Sequence, residues 1–197
     1  EGFCHPVLLG NEEEIKCIAD ELELSLDGCE LVNLRDNSES ERRLRYAKIL
    51  AQKREREGFN LEVARDKMFE RNYFGMMMVE TGDADAFITG LYTRYAGTIQ
   101  AAKEVIGIRP GYEHFGALHL VSSKNGICFF GDTLINRDPD EHALYDLARL
   151  AASGVRFFNR TPAMAMISYS NFGSDEDGKP AVVHRVVERM QKEYPEL

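Results

Sequence analysis

Short apolar runs that stop at a glycine, each followed by a polar cap and an amphipathic stretch, recur along this chain and constrain its fold more than any other feature. Val7-Leu8-Leu9 ends at Gly10, and a continuous apolar run of that length suits a strand buried on both faces. Asn11 then stands where a helix needs its N-cap. Glu12, Glu13 and Glu14 follow near the positive end of the dipole, and Ile15, Ile18 and Leu22 share one face. Residues 30–34 read as a second strand. Ser38 and Glu41 have capping-box spacing and open a long charged helix reaching about Gly58, with Leu44, Ala47 and Leu50 facing inward. Asn60 is placed to cap the next helix, which carries Leu61, Ala64 and Met68.

Met76-Met77-Met78 reads as apolar packing at a helix end. Residues 82–85 form a tight polar turn, residues 86–90 read as a strand ending in glycine, and residues 98–106 as a helix. Residues 117–121 and 127–130 flank Asn125-Gly126, a strong hairpin turn signal. Asp138-Pro139-Asp140-Glu141 offers an N-cap, a proline at the first helical position and an acid at the third, predicting a helix to about Phe158. Residues 164–168 read as another buried strand, and Val182, Val183, Val186, Val187 and Met190 as the apolar face of a last helix. Such alternation predicts a layered α/β/α fold with a mainly parallel sheet and one antiparallel hairpin.

The chain's 197 residues allow one large domain or two small ones. A net charge of −9 argues against nucleic acid and anionic membranes as partners, because both demand a basic face. The deficit is uneven: residues 39–67 hold nine Lys/Arg against six Asp/Glu. That cationic strip is explained either by a discrete anionic ligand or by a long solvated helix. Cys4, Cys17, Cys29 and Cys128 have neither zinc-finger nor redox spacing and read as reduced, small core residues of a cytosolic protein. No apolar run approaches the ~20 residues that span a bilayer, and no signal segment opens the chain. A first residue other than Met, and a helix at the end where another strand is due, give the expectation of a piece of something longer.

In an open α/β sheet ligands bind where strands lead into helices, and three such loops stand out. In residues 90–98, Gly90 and Gly97 bracket hydroxyls and Arg94 before a helix start. Backbone N–H groups there, with Arg94 as countercharge, suit a phosphate or carboxylate; a flexible connection with a solvent-facing arginine explains them equally. In residues 132–139, Asp132 is either a base or a turn-forming carboxylate. In residues 168–174, small hydroxyls and an amide either line a cleft or are ordinary loop residues. There is no G-x-G-x-x-G, P-loop or G-x-S-x-G elbow. The five histidines are scattered, and His119, inside a strand, reads as a satisfied core residue.

These loops carry a resemblance. Residues 82–90, Asp132-Thr133 with Asn136 and Pro139, and Ser168-Tyr169-Ser170-Asn171-Phe172-Gly173-Ser174 resemble the signatures of the phosphate acetyl/butyryltransferase family. They do so in order over nearly the whole chain. Arg71-Asn72-Tyr73-Phe74-Gly75 and the Ser-Asn-Phe-Gly-Ser run are most similar to the carboxyl-terminal phosphotransacetylase-like domain of bacterial hybrid NADP-dependent malic enzymes. The resemblance implies two α/β lobes around a cleft, residues 1–70 in the first and 71–197 in the second, truncated at both ends. It implies acetyl-CoA as an allosteric ligand, a homo-oligomer, and a cytoplasmic location. It also implies a malic enzyme core in the same chain, which would hold NADP and a divalent metal, Mg or Mn.

By the same resemblance, acyl-CoA and phosphate would be held by Arg54, Gly90, Thr93, Arg94, Gln100, Asn136, Ser168, Ser170 and Asn171. Active members carry an arginine in an Asp-Thr-x-Arg-Pro segment where this chain has Gln100, which offers hydrogen bonds but no charge. The family's histidine in that loop is replaced by Thr93, and its Asn-Asp-Leu-Ser-Arg-Gly segment falls beyond Leu197. A regulatory module without catalysis of its own is therefore the leading expectation. An active phosphate acyltransferase is the alternative, and a purely structural dimerisation domain a third reading.

Overall fold

The computed structural model describes residues 2–90, 94–171, 174–175 and 177–197. The first apolar run forms β1 (Val7–Leu9), which pairs in parallel with β2 (Glu30–Val32) in the register Val7↔Glu30, Leu8↔Leu31, Leu9↔Val32. Parallel strands need a crossover, and α1 (Glu12–Glu21) supplies it. Asn11 caps that helix as expected, its Oδ1 accepting from the Glu13 and Glu14 N–H groups at 2.9 and 3.1 Å. Asn60 likewise accepts from the Val63 N–H at 2.9 Å and starts α3 (Leu61–Lys67).

The long charged helix is α2 (Ser40–Lys53), flanked by single 3-10 turns at Asn37–Glu39 and Glu55–Glu57. The expected capping box does not form. Asp36 accepts from the Ser38 N–H at 2.9 Å and caps the preceding turn, so Ser38 already lies inside it. The chain then makes α4 (Arg71–Glu80) and α5 (Tyr95–Val105), and α5 starts earlier than the apolar pattern predicts.

Contacts group Glu1–Gly107 into one compact unit and Ile108–Leu197 into another. Helix α4, placed by the sequence reading in the second lobe, belongs to the core of the first unit. Tyr73, Phe74 and Met77 pack there with Tyr46, Leu50, Ala64, Met68 and Val105. All seven residues from Asn72 to Met78 are buried, so α4 is enclosed on every side. Each fully buried side chain such as Leu50 or Met77 contributes about 2 kcal/mol of burial. Gly75 makes this packing possible: a Cβ there would lie 2.2 Å from the Phe87 ring. Residues 86–90 thus lie on α4 through Phe87, but the expected strand is absent, having no ladder partner among the described residues.

In the second unit a two-residue turn at Lys124-Asn125, one position earlier than the Asn-Gly signal suggests, joins β3 (Leu118–Ser123) to β4 (Gly126–Gly131) as an antiparallel hairpin, pairing Leu118 with Gly131 and Ser123 with Gly126. The hairpin approaches α6 (Glu141–Phe157) where Leu118 lies against Gly154; a Cβ on that glycine would meet Leu118 Cδ2 at 2.6 Å. Helix α6 is capped by Asp140, which accepts from the Ala143 N–H at 2.8 Å, and not by Asp138. The carboxylate two residues later has the N3 amide in reach, so Pro139 stays outside the helix. Helix α7 (Gly178–Glu193) packs Val186 and Met190 against Tyr145 and Ala148 of α6.

Residues 164–168 are not a paired strand either. Met164 and Met166 pack on this cluster while Ile167 is exposed, the alternation of an extended segment lying over a core. The fold is therefore mixed α/β, with a parallel sheet of two strands and one antiparallel hairpin among the described residues. His119 is exposed, not a core residue, and its Nδ1 is 2.7 Å from Thr133 Oγ1. The cysteines are free thiols, three exposed and Cys29 half-buried, so they are not core residues as expected. Among the described residues no helix is long and apolar enough to cross a membrane.

Candidate functional site

Helix α5 organises the expected site residues of the first unit. Arg94 is its N-cap in extended conformation, and the Arg94 side chain makes no capping hydrogen bond. The Arg94 carbonyl accepts from the Gly97 and Thr98 N–H groups at 2.9 and 3.3 Å. The exposed Arg94 guanidinium and the helix start beside it, with its positive dipole end, are chemically suited to an anion. Gly90 is exposed just ahead of this segment, and Thr93 lies outside the described residues.

Gln100 faces a different neighbour. Its Nε2 donates to Glu104 Oε1 at 2.8 Å, and the Tyr73 hydroxyl donates to Glu104 Oε2. Burial, and secondarily this hydrogen bond, push the Tyr73 hydroxyl well above the ordinary tyrosine range. The backbone carbonyl of the same Glu104 accepts from Arg54 Nε at 2.6 Å. Glu104 is thus the node joining Gln100, Tyr73 and Arg54. The sequence reading missed it, although Gln100 and Glu104 stand at the i,i+4 spacing of facing helix residues.

Arg54 is held at the opposite end of α5 from Arg94. Its Nη2 donates to the Lys103 carbonyl and its Nη1 to Glu57 Oε1 at 2.7 Å, and the side chain is only 16% exposed. Nine to ten residues at 1.5 Å rise put the Arg94 backbone roughly 14 Å from these carbonyls, so the two arginines stand at opposite ends of the helix.

The cationic strip that carries Arg54 is largely engaged within the chain. Arg43 Nη1 donates to the Leu34 and Asp36 carbonyls, both at 2.7 Å. Arg42 lies 3.0 Å from Glu39 and Lys67 3.0 Å from Glu70, while Arg45 pairs with Asp83 and Lys53 with Glu80. Tyr46 also donates to Asp83, and burial with that bond raises its hydroxyl to about 12. Lys48, Arg56 and Arg65 are exposed. Tertiary acceptors account for most of the strip, which sequence proximity alone does not reveal.

In the second unit Asp132 organises a turn. Its Oδ1 accepts from the Leu134 and Ile135 N–H groups at 3.3 and 3.1 Å, and its Oδ2 from the Asn136 N–H and Nδ2 at 2.9 and 2.6 Å. Burial raises its pKa, but these donors outweigh that and hold it below the usual aspartate value. Of the two roles open for Asp132, the geometry is that of a turn-forming carboxylate. Asn136 Nδ2 also donates to the Phe115 carbonyl at 2.6 Å, so its amide ties this turn to the segment before β3.

Ser168, Ser170 and Asn171 lie on a loop bonded to itself. Ser168 Oγ accepts from the Ser170 N–H at 3.2 Å, Ser170 Oγ from the Asp175 N–H at 3.1 Å, and the Asn171 carbonyl from the Ser174 N–H at 3.0 Å. A further polar cluster went unread in the sequence. Buried Asp146 accepts from the Glu113 and His114 N–H groups at 2.8 and 3.2 Å, and its Oδ2 is 3.1 Å from His114 Nδ1. Despite burial, which raises it, these donors hold the Asp146 carboxyl below the ordinary range. The 32-residue separation of the pair is what hides it from sequence inspection. Among the described residues no group of three or more His, Cys, Asp and Glu is placed to hold a metal ion.

Comparison with known proteins places these features in a family. The family model for phosphate acetyl/butaryl transferase matches residues 1–197. The phosphate acetyltransferase of Nitratidesulfovibrio vulgaris is 35% identical over 196 residues, covering 97% of this chain and 27% of that protein. The NADP-dependent malic enzyme of Salmonella typhimurium is 30% identical over 197 residues, all of this chain and 26% of that protein. The chain thus spans about a quarter of the length of these curated relatives. A solved phosphotransacetylase from Streptococcus pyogenes superposes with a TM-score of 0.81 at 25% identity, over all of this chain and 59% of that one. The chain belongs to the phosphate acetyl/butaryl transferase family.

Proposed function

We propose that this chain is the phosphotransacetylase-like domain of an NADP-dependent malic enzyme, that it binds acetyl-CoA as an allosteric effector, and that it transfers no acyl group itself. The observation that carries this reading is Gln100. It stands where the resemblance expects an arginine, and its amide donates to the Glu104 carboxylate at 2.8 Å. Acyl transfer between CoA and phosphate develops negative charge on the phosphate oxygens, which a bidentate cation stabilises and a carboxylate opposes. Binding asks less: an anion at the start of α5 with Arg94 as countercharge. The likeness to the Salmonella malic enzyme over the full chain supports the parentage.

In this reading a malic enzyme core elsewhere in the same chain holds NADP and a divalent metal, Mg or Mn. It oxidatively decarboxylates malate to pyruvate in the cytoplasm as a homo-oligomer. Acetyl-CoA regulates by preferring one arrangement of the oligomer over another, since equal affinity for both shifts nothing.

A second reading, an active phosphate acetyl/butyryltransferase, is favoured by the 35% identity to the Nitratidesulfovibrio phosphate acetyltransferase. There the CoA thiolate attacks the acyl carbon of the acyl phosphate and phosphate leaves. CoA-dependent turnover of acetyl phosphate by the full-length protein separates the two. Background rates support the silent regulatory domain, and sustained turnover establishes the transferase.

A further inference from the structure

The residues that flank the glycine-bracketed segment 90–97 are fastened to one buried side chain. Asn72, in the first turn of α4, is 8% exposed. Its Oδ1 accepts from Thr89 Oγ1 at 2.7 Å, and its Nδ2 donates to Thr98 Oγ1 at 3.2 Å. Thr89 immediately precedes Gly90, and Thr98 immediately follows Gly97. A carboxamide suits this bridge because it presents an acceptor and a donor side by side. Three residues further along α4, Gly75 admits the Phe87 ring. Phe87 and Thr89, two apart in an extended segment, therefore both seat on α4, one through packing and one through a hydrogen bond.

We infer that Asn72 is a positioning residue for the anion-binding start of α5. It ties Thr89, beside Gly90, to Thr98 in the first turn of α5, without touching the ligand. The inference rests on the reading of the start of α5 as the place that holds the phosphates of acyl-CoA. A buried polar group that lost its partners would not stay in place, so the bridge is rigid only while all three residues supply their hydrogen bonds.

The test uses the full-length protein and three variants. Thr89→Val and Thr98→Val each remove one hydroxyl at constant shape, and Asn72→Ala removes the hub. Acetyl-CoA affinity is measured by calorimetry, and amide hydrogen exchange is followed at residues 94–98 and in α2. Each threonine variant is expected to bind acetyl-CoA about tenfold more weakly, the effect of one lost buried hydrogen bond. The Thr89→Val/Thr98→Val pair is expected to be no weaker than Asn72→Ala, because all three act on one bridge. Exchange at 94–98 should rise several-fold while α2 is unchanged. Wild-type affinity with unchanged exchange in both threonine variants overturns the inference. So does an equal rise in α2 and α5, which would mark a global stability role. If the wild-type protein itself gives no heat with acetyl-CoA, the functional reading fails, and the exchange comparison still decides the role of Asn72.

Discussion

Arg54 closes the C-terminus of a helix to which it does not belong: its Nε donates to the Glu104 carbonyl at 2.6 Å and its Nη2 to that of Lys103. The neighbouring Lys53 Nζ donates to the Val105 and Ile106 carbonyls at 2.6 and 3.1 Å. Four consecutive carbonyls at the end of α5 thus meet two cations at the negative end of its dipole. Arg54→Ala is expected to destabilise the protein by about 2 kcal/mol, the magnitude of charge-assisted hydrogen bonds at a partly buried helix end. Arg54→Lys should recover only part, because one ammonium cannot reproduce the fork of Nε and Nη2. Urea unfolding checks both, and an unchanged midpoint for Arg54→Ala contradicts this role.

Gly75→Ala should destabilise by about 1–3 kcal/mol through overpacking, since the added Cβ would lie 2.2 Å from the Phe87 ring. The penalty should largely vanish in a Phe87→Ala background, where the ring is gone. A thermodynamic cycle measured by chemical denaturation reads this coupling, and additive effects would show that the ring does not set the requirement for glycine.

Asp132 predicts an acid-sensitive turn. Its folded pKa lies below the ordinary value of 3.8, so it contributes stability that is complete above that value and is lost as pH falls through the folded one. Asp132→Asn should therefore cost stability at neutral pH and flatten the decline below about pH 4. The measurement is the denaturation midpoint against pH for both proteins; parallel curves would remove Asp132 from the account.

Much of the first unit is legible in the sequence because its signals are local. Asn11 and Asn60 act on amides two or three residues away, and the β1–α1–β2 alternation is visible in a single pass. The hairpin is legible for the same reason, through Asn125-Gly126, although the turn itself falls on Lys124-Asn125 and Gly126 is already paired in β4. Capping choices are less so: Asp138 and Asp140 are equally good residues, and only the N–H of Ala143 decides between them. The strands expected at 86–90 and 164–168 do not form among the described residues: Phe87, Met164 and Met166 pack on helices instead, and pairing depends on a distant partner that periodicity cannot supply. The site is the least legible part. The cations of residues 39–67 find acceptors as far away as Asp83, Glu80 and the end of α5, and Glu104 gathers Gln100, Tyr73 and Arg54 across three helices or their ends.

Gln100→Arg tests whether residue 100 faces a bound phosphate. A guanidinium at this position should raise the affinity for inorganic phosphate about tenfold, as a charge-assisted hydrogen bond replaces a neutral one. Because Glu104 would compete for the new cation, Gln100→Arg with Glu104→Gln should bind phosphate more tightly still. Phosphate titration reads both variants. Unchanged affinity in both would show that residue 100 does not face the anion.

Calorimetric titration of the full-length protein with acetyl-CoA tests the central claim most directly. A saturable heat that is weakened when Arg94 is replaced by alanine is the predicted result. No heat from the folded wild-type protein across the accessible concentration range would contradict the account.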